Sequence, residues 1–299
     1  MQYSEVMMRF AGRHNLEEFG EKTLKHLYDG DFDLDKAESF KQFYRRIESE
    51  LLNHDVIIHN NYTRWFKEAK LTDADVRHFI IQFSVFSNQF LIAQLQKMIN
   101  AHTIEAMRSS KEILANEIGV LFNDKQNSLD NDSASGLGDI TGSIEGGTFH
   151  FRSAHFELLA RLGERLSLKF EDLGRREHGT PSTLFFCDEL IRLYGSSDYA
   201  TSEAASFAVE HWAAAGFWKE LINGLTHYRD NKKLELPLTF FTWHDRLEDN
   251  HARHTKEELE EYYFTHEVDE DLFIDKANEM LDGVYAFWQG LDGDRQRLH

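Results

Sequence analysis

The sequence predicts an all-α protein, built as a single helical domain over residues 1–299, and three observations carry that prediction. Only two prolines, Pro181 and Pro237, interrupt the chain, so backbone donors are intact over long stretches. Runs rich in Leu, Phe, Ala and Glu repeat apolar residues three and four apart, the spacing of one helix face. No segment has a strand pattern strong enough to argue for a sheet.

Taken in order, Leu16 to Leu27, Asp35 to Leu52 and Ile57 to Ala69 read as amphipathic helices that make up an N-terminal region over residues 1–70. Thr72-Asp-Ala-Asp75 has the form of a helix start, with a capping hydroxyl and acids in the first turn. The run that follows, VRHFIIQFSVFSNQFLIAQLQKMI, is apolar on nearly all sides and belongs at the centre of a bundle. A further helix is expected from Ile104 to Phe122. Residues 124–148 are rich in Asp, Asn, Ser and Gly and lack any period, so they read as a flexible insertion. Helical pattern resumes at once in FHFRSAHFELLARLGERL, which makes that insertion a loop within a domain rather than a linker between two. Thr180-Pro181 supplies an N-cap and a first-turn proline. SEAASFAVEHWAAAGFWKELINGL reads as one long helix, YRDNKK as a polar turn, and Pro237 opens the next helix. EVDEDLFIDKANEMLDGVYAFWQGL closes a helical core that spans residues 72–290.

Composition removes several function classes. A formal net charge of −19 opposes binding to phosphate backbones and anionic membranes, which attract clustered Lys and Arg. The single cysteine, Cys187, forbids an internal disulfide and fits a reducing compartment; its apolar setting, LFFCDELI, suits a core thiol. The start MQYSEVMMRF lacks a signal-peptide pattern and no apolar run approaches the ~18 residues of a membrane span, so the expectation is a cytoplasmic protein.

One stretch carries chemistry: FFTWHDRLEDNHARHT, Phe240 to Thr255. On a helix, His244, Glu248 and His251 fall four and three residues apart and share a face beside aromatic residues. Two imidazoles and a carboxylate turned toward an apolar interior cost several kcal/mol unless paired or bound to a metal. A satisfied polar network on a non-catalytic helical protein is the plain alternative. In a bundle, further ligands come from other helices. Glu117 in LANEIG, His155 in RSAHFELL and Glu210 in SFAVEHWAAAG each place a polar group within an apolar helical stretch. Mixed imidazole and carboxylate donors without thiolate suit iron or manganese, with zinc also open. A ferritin-type centre uses two Glu-x-x-His pairs, yet of sixteen histidines only His251 has a glutamate three residues before it.

The order of these segments resembles another family, the haem-oxygenase-like di-iron oxidases, also known as iron-containing redox enzymes. The likeness is carried by Asn116-Glu117-Ile118-Gly119, then His155-Phe-Glu-Leu-Leu159, then Glu210, then Phe240-Phe-Thr-Trp-His244 with Glu248 and His251-Ala252. It covers roughly residues 72–290 and is most specific in the last motif, where Glu248 replaces the family's usual aspartate. The resemblance implies a haem-oxygenase-like helical bundle in which Glu117, His155, Glu210, His244, Glu248 and His251 bind two iron ions. It implies an enzyme that uses O2 to oxidise a small amino-acid-like or fatty-acid-like substrate by N-oxygenation, C–C cleavage or decarboxylation. An external reductant and a homodimer are compatible with it, and natural-product biosynthesis is the setting it suggests. Glu145 stands nearer to His155 in the chain and is a second candidate for the role given to Glu117. His254, Glu203 and His211 are supporting candidates, and Arg108 and Arg152 are candidate partners for a substrate carboxylate. A thiaminase-like or cofactor-independent enzyme on the same scaffold would need Cys187 as nucleophile. A haem-degrading enzyme would need a histidine in the first helices, where His26 stands.

Overall fold

The structure is a computed structural model and describes residues 2–68, 70–122, 140–144, 147–151 and 153–298; within these, the side chains of residues 2–4, 105, 121–122, 140–151, 247–254 and 298 are not described. Thirteen helices dominate these residues: α1 Gln2–His14, α2 Glu21–Asp29, α3 Leu34–Arg46, α4 Asp55–Ile58, α5 Asn61–Glu68, α6 Asp73–Ile99, α7 Ile104–Glu117, α8 His155–Arg165, α9 Pro181–Glu189, α10 Tyr199–Ala213, α11 Phe217–Lys232, α12 Thr239–Thr265 and α13 Glu270–Leu298. Helix α3 runs into a wider π-type turn at Ile47–Leu51, and α9 into another at Leu190–Tyr194.

The expected start of α6 is present in full. The Thr72 hydroxyl accepts from the Asp75 N–H, and the Asp75 carboxylate accepts from the Thr72 N–H at 2.8 Å, so two orphan donors of the first turn are satisfied. This helix packs against α7, α8, α9 and α13. Its Val76, Phe79, Ile80, Phe83 and Val85 are fully buried, as a helix that is apolar all round requires. Helices α10 and α13 form another large contact. Ala204, Ala205 and Ala208 on α10 have no exposed surface and are short enough to let the helix backbones approach.

Three expectations need correction. First, the stretch expected to be helical to Phe122 ends at Glu117. Gly119 adopts φ +74°, a left-handed conformation that suits glycine and stops a helix. Second, the run expected as one helix from Ser202 into LINGL breaks at Gly216, φ +87°, into α10 and α11. Third, there is a small sheet where none was expected: β1 Val120–Phe122, β2 Ile140–Ile144 and β3 Gly147–Phe151, antiparallel with β3 in the middle. Part of the 124–148 insertion is therefore strand. The overlooked signal is the alternation Thr148, Phe149, His150, Phe151 after a glycine pair, in a hairpin register that sets Ile144 opposite Gly147.

The sheet brings together the two ends of the insertion. Val120 pairs with Phe151 and Phe122 with Phe149, so the chain just after Glu117 is tied to the chain just before His155. The intervening residues can be long without separating those two positions.

Candidate metal centre

Four helices bring the expected site residues toward one cavity of about 280 Å³. Glu117 is the last residue of α7 and His155 the first of α8; Glu210 lies near the end of α10, and His244 in the second turn of α12. All four line the cavity. Ligand-type atoms of Glu117, His155 and His244 lie within 4.8 Å of one another, close enough to share one cation.

His155 is buried, and its Nδ1 lies 2.9 Å from Glu117 Oε2. Despite that distance the nitrogen has no hydrogen-bond partner, because the carboxylate stands off the direction in which an N–H would point. Two ligand atoms that converge on a common point, rather than on each other, have this geometry. A buried polar atom left this way costs about 1–3 kcal/mol, which a cation between the two groups offsets. Glu117 also stands at the C-terminal end of α7, the negative end of the helix dipole, where a carboxylate gains from a nearby positive charge. On the other side, the Glu157 carboxylate accepts from the Ala154 N–H at 3.3 Å and fixes the first turn of α8 that presents His155.

His244 is held differently. Its Nδ1 lies 2.7 Å from the carbonyl of Phe240, one turn earlier, so Nδ1 carries the proton and Nε2 carries the lone pair. Trp218 of α11 stacks on the imidazole, with centroids 4.7 Å apart and planes 19° apart. The His155 ring meets it edge to face at 4.8 Å and 74°. Phe83 of α6 packs on both Trp218 and Phe240, which fixes this wall from the core side. The imidazole is thus held in one tautomer and one orientation, as a metal ligand must be.

Glu210 lines the same cavity but lies outside the three-residue cluster. Glu248 and His251 follow His244 by four and seven residues on α12, and their side chains, with that of His254, lie outside the described residues. Glu145 and Arg152 lie outside them as well. Glu203 forms an ion pair with Lys97 at 3.0 Å. His211 donates its Nδ1–H to the Phe207 carbonyl oxygen at 2.9 Å, and its ring stacks on Phe207. Burial drives the His211 pKa down, and the ring is not part of the cavity lining. His26 packs against Phe32 and lies 3.1 Å from Asp31, away from the lining. Cys187 is fully buried in the core, where desolvation pushes its thiol up to about 12, and it does not line the cavity. A nucleophilic role for Cys187 therefore has neither thiolate nor access in its favour.

The rest of the cavity is apolar. Phe83, Phe86 and Phe90 come from α6, Val209 and Trp212 from α10, and Ile113 from α7. Of the aromatic residues near the motifs, Trp212 and Trp218 line the cavity; Phe207, Phe217 and Trp243 do not, nor does Arg108. Ser87 and Glu112 are polar lining residues that no motif singled out, and Asn116, the first residue of the Asn116-Glu117-Ile118-Gly119 segment, lines the cavity as well. Their signal was positional: Glu112 and Asn116 precede Glu117 by five and one residues on one helix.

No family model matches the chain, and no curated protein matches it either. Solved structures do. A domain of unknown function with a haem-oxygenase-like fold from Shewanella denitrificans matches 88% of this chain and 94% of its own, with a TM-score of 0.54 and 13% identity. A TenA homologue from Pseudomonas syringae pv. tomato matches 86% and 93%, with a TM-score of 0.54 and 11% identity. A CADD-like protein of unknown function from Nostoc punctiforme matches 88% and 96%, with a TM-score of 0.52 and 14% identity. At these identities the likeness is one of fold, and the chain has a haem-oxygenase-like helical fold.

Proposed function

We propose that this chain is a non-haem iron enzyme that uses O2 to oxidise a small organic substrate, with Glu117, His155 and His244 holding one iron. The observation that carries this reading is the convergence of one carboxylate and two imidazoles within 4.8 Å beside an apolar cavity. Two histidines and one carboxylate with room beside them form the donor set of iron(II) oxygenases, and the set contains no thiolate. Glu210, on the same cavity, together with Glu248 and His251, further along α12 on the face that begins with His244, are proposed to supply a second iron site. The donors fit the group, because each offers N or O atoms that suit iron, and Glu117 and Glu210 bring negative charge that offsets the cation.

Bound there, ferrous ions would supply the electrons for reduction of O2. The residues of this chain do the rest. The Phe240 carbonyl keeps the His244 lone pair on Nε2, Trp218 holds the ring plane, and the burial of His155 fixes its position. Phe83, Phe86, Phe90 and Trp212 exclude water and line a space for an apolar substrate body.

The test is to load the protein anaerobically with ferrous iron, admit O2, and follow O2 uptake and the visible spectrum. Wild type should consume O2 and show a transient band; His244→Ala should lose both. Equal O2 uptake by wild type and variant would overturn the assignment.

A further inference from the structure

The cavity has two chemically distinct ends. Glu117, His155 and His244 close one of them, while Glu112 both lines the cavity and is exposed to solvent, so it marks the mouth. Glu112 and Glu117 are five residues apart on α7, a rise of about 7.5 Å along the helix axis. Phe86, Phe90 and Trp212 are among the apolar residues of its wall. Among the described lining residues there is no lysine or arginine, and Glu112 has no ion-pair partner among the described residues. At the mouth, a carboxylate would therefore meet Glu112 with no lysine or arginine beside it among the described lining residues. A chain of net charge −19 adds a field that attracts cations and repels anions.

Resting on the metal-centre reading above, we infer that the substrate is an amine: an apolar chain or ring that ends in an ammonium group, with the ammonium held by Glu112 at the mouth and the apolar body reaching inward along Phe86, Phe90 and Trp212. With the ammonium held by Glu112 at the mouth, the nitrogen is an anchor and the apolar body is the part that reaches toward the ligand end. Glu112 is then a specificity-determining residue. Of the two substrate types that the sequence resemblance implies, this selects the cationic end of an amine over the anionic end of a fatty acid.

The experiment measures binding of n-octylammonium, 1-octanol and n-octanoate to the metal-free full chain, read by tryptophan fluorescence, since Trp212 and Trp218 line the cavity. Wild type should bind octylammonium at least about tenfold more tightly than octanoate. Glu112→Gln should weaken octylammonium about threefold to tenfold and leave octanol unchanged, and Glu112→Lys should reverse the order of amine and acid. Because Glu112 is exposed, neither variant removes core packing, and circular dichroism confirms the fold. Octanoate binding as tightly as octylammonium to wild type, equal loss of octanol and octylammonium in Glu112→Gln, or binding of none of the three would each overturn the inference. The reading is made without metal, so failure of the iron assignment leaves this result standing and the reverse also holds.

Discussion

His155 Nδ1 is a buried nitrogen 2.9 Å from a carboxylate oxygen with which it makes no hydrogen bond, an arrangement that costs free energy and that a cation would relieve under the proposed function. Two consequences belong to that residue. His155→Leu should raise the stability of the metal-free chain by about 1 kcal/mol, measured by urea unfolding, while it removes metal-induced stabilisation. A variant less stable than the metal-free parent would show that the imidazole is a structural group. Cys187 offers a second check at this scale. With its thiol raised to about 12 and no exposed surface, it should react with a disulfide reagent at pH 8 only after unfolding, and rapid stoichiometric labelling of the native chain would contradict its burial. At this scale the sequence was legible where a candidate residue and its surroundings lie on one helix. His244 announces itself because its aromatic neighbours Phe240 and Phe241 are local. The closeness of Glu117 to His155 was not legible, since it depends on pairing of Val120 with Phe151.

The elements explain how that closeness is achieved. Gly119 ends α7 immediately after Glu117, β1 and β3 bring the chain back, and α8 begins at His155. Without the positive φ at Gly119 the helix would run on and carry the following residues away from the sheet. Gly216 plays the same part between α10 and α11, and it turns Trp218 toward His244. At φ +87° with open space around its missing side chain, Gly216→Ala meets no clash, so its cost isolates the backbone term. We expect a loss of about 1–2 kcal/mol in urea unfolding; no loss would mean that this turn is not left-handed. Helix type and order were legible from apolar spacing, as the Thr72 and Asp75 cap of α6 shows. The ends were harder, because Gly119 and Gly216 look like tolerated interior glycines in a sequence and reveal themselves only through φ. The strands were missed because short alternation beside a Gly-rich and Ser-rich run competes poorly with the helical pattern on either side.

At the scale of the molecule, helix α7 presents Glu112, Asn116 and Glu117, and α8, α10 and α12 present His155, Glu210 and His244, to a cavity whose other walls come largely from α6. Among the described residues no helix is long and apolar enough to cross a membrane. The family resemblance carried by the order of segments implied a haem-oxygenase-like bundle, and the solved structures of that fold bear this out. What no order of segments discloses is the cavity itself, which arises where helices distant in sequence fail to fill the space between them. Under the proposed function, a ligand set drawn from several helices would couple metal binding to the stability of the whole bundle. At a free ferrous concentration a hundred times its dissociation constant, the fold should gain about 2.7 kcal/mol, seen as a rise in Tm that a chelator abolishes. The measurement that tests the central claim most directly is an anaerobic ferrous titration with metal counted by equilibrium dialysis, on wild type and on Glu117→Gln, His155→Leu and His244→Ala. The account predicts about two iron ions per chain in wild type and loss of at least one in every variant. No stoichiometric iron in wild type, or the same stoichiometry and affinity in all three variants, would contradict it.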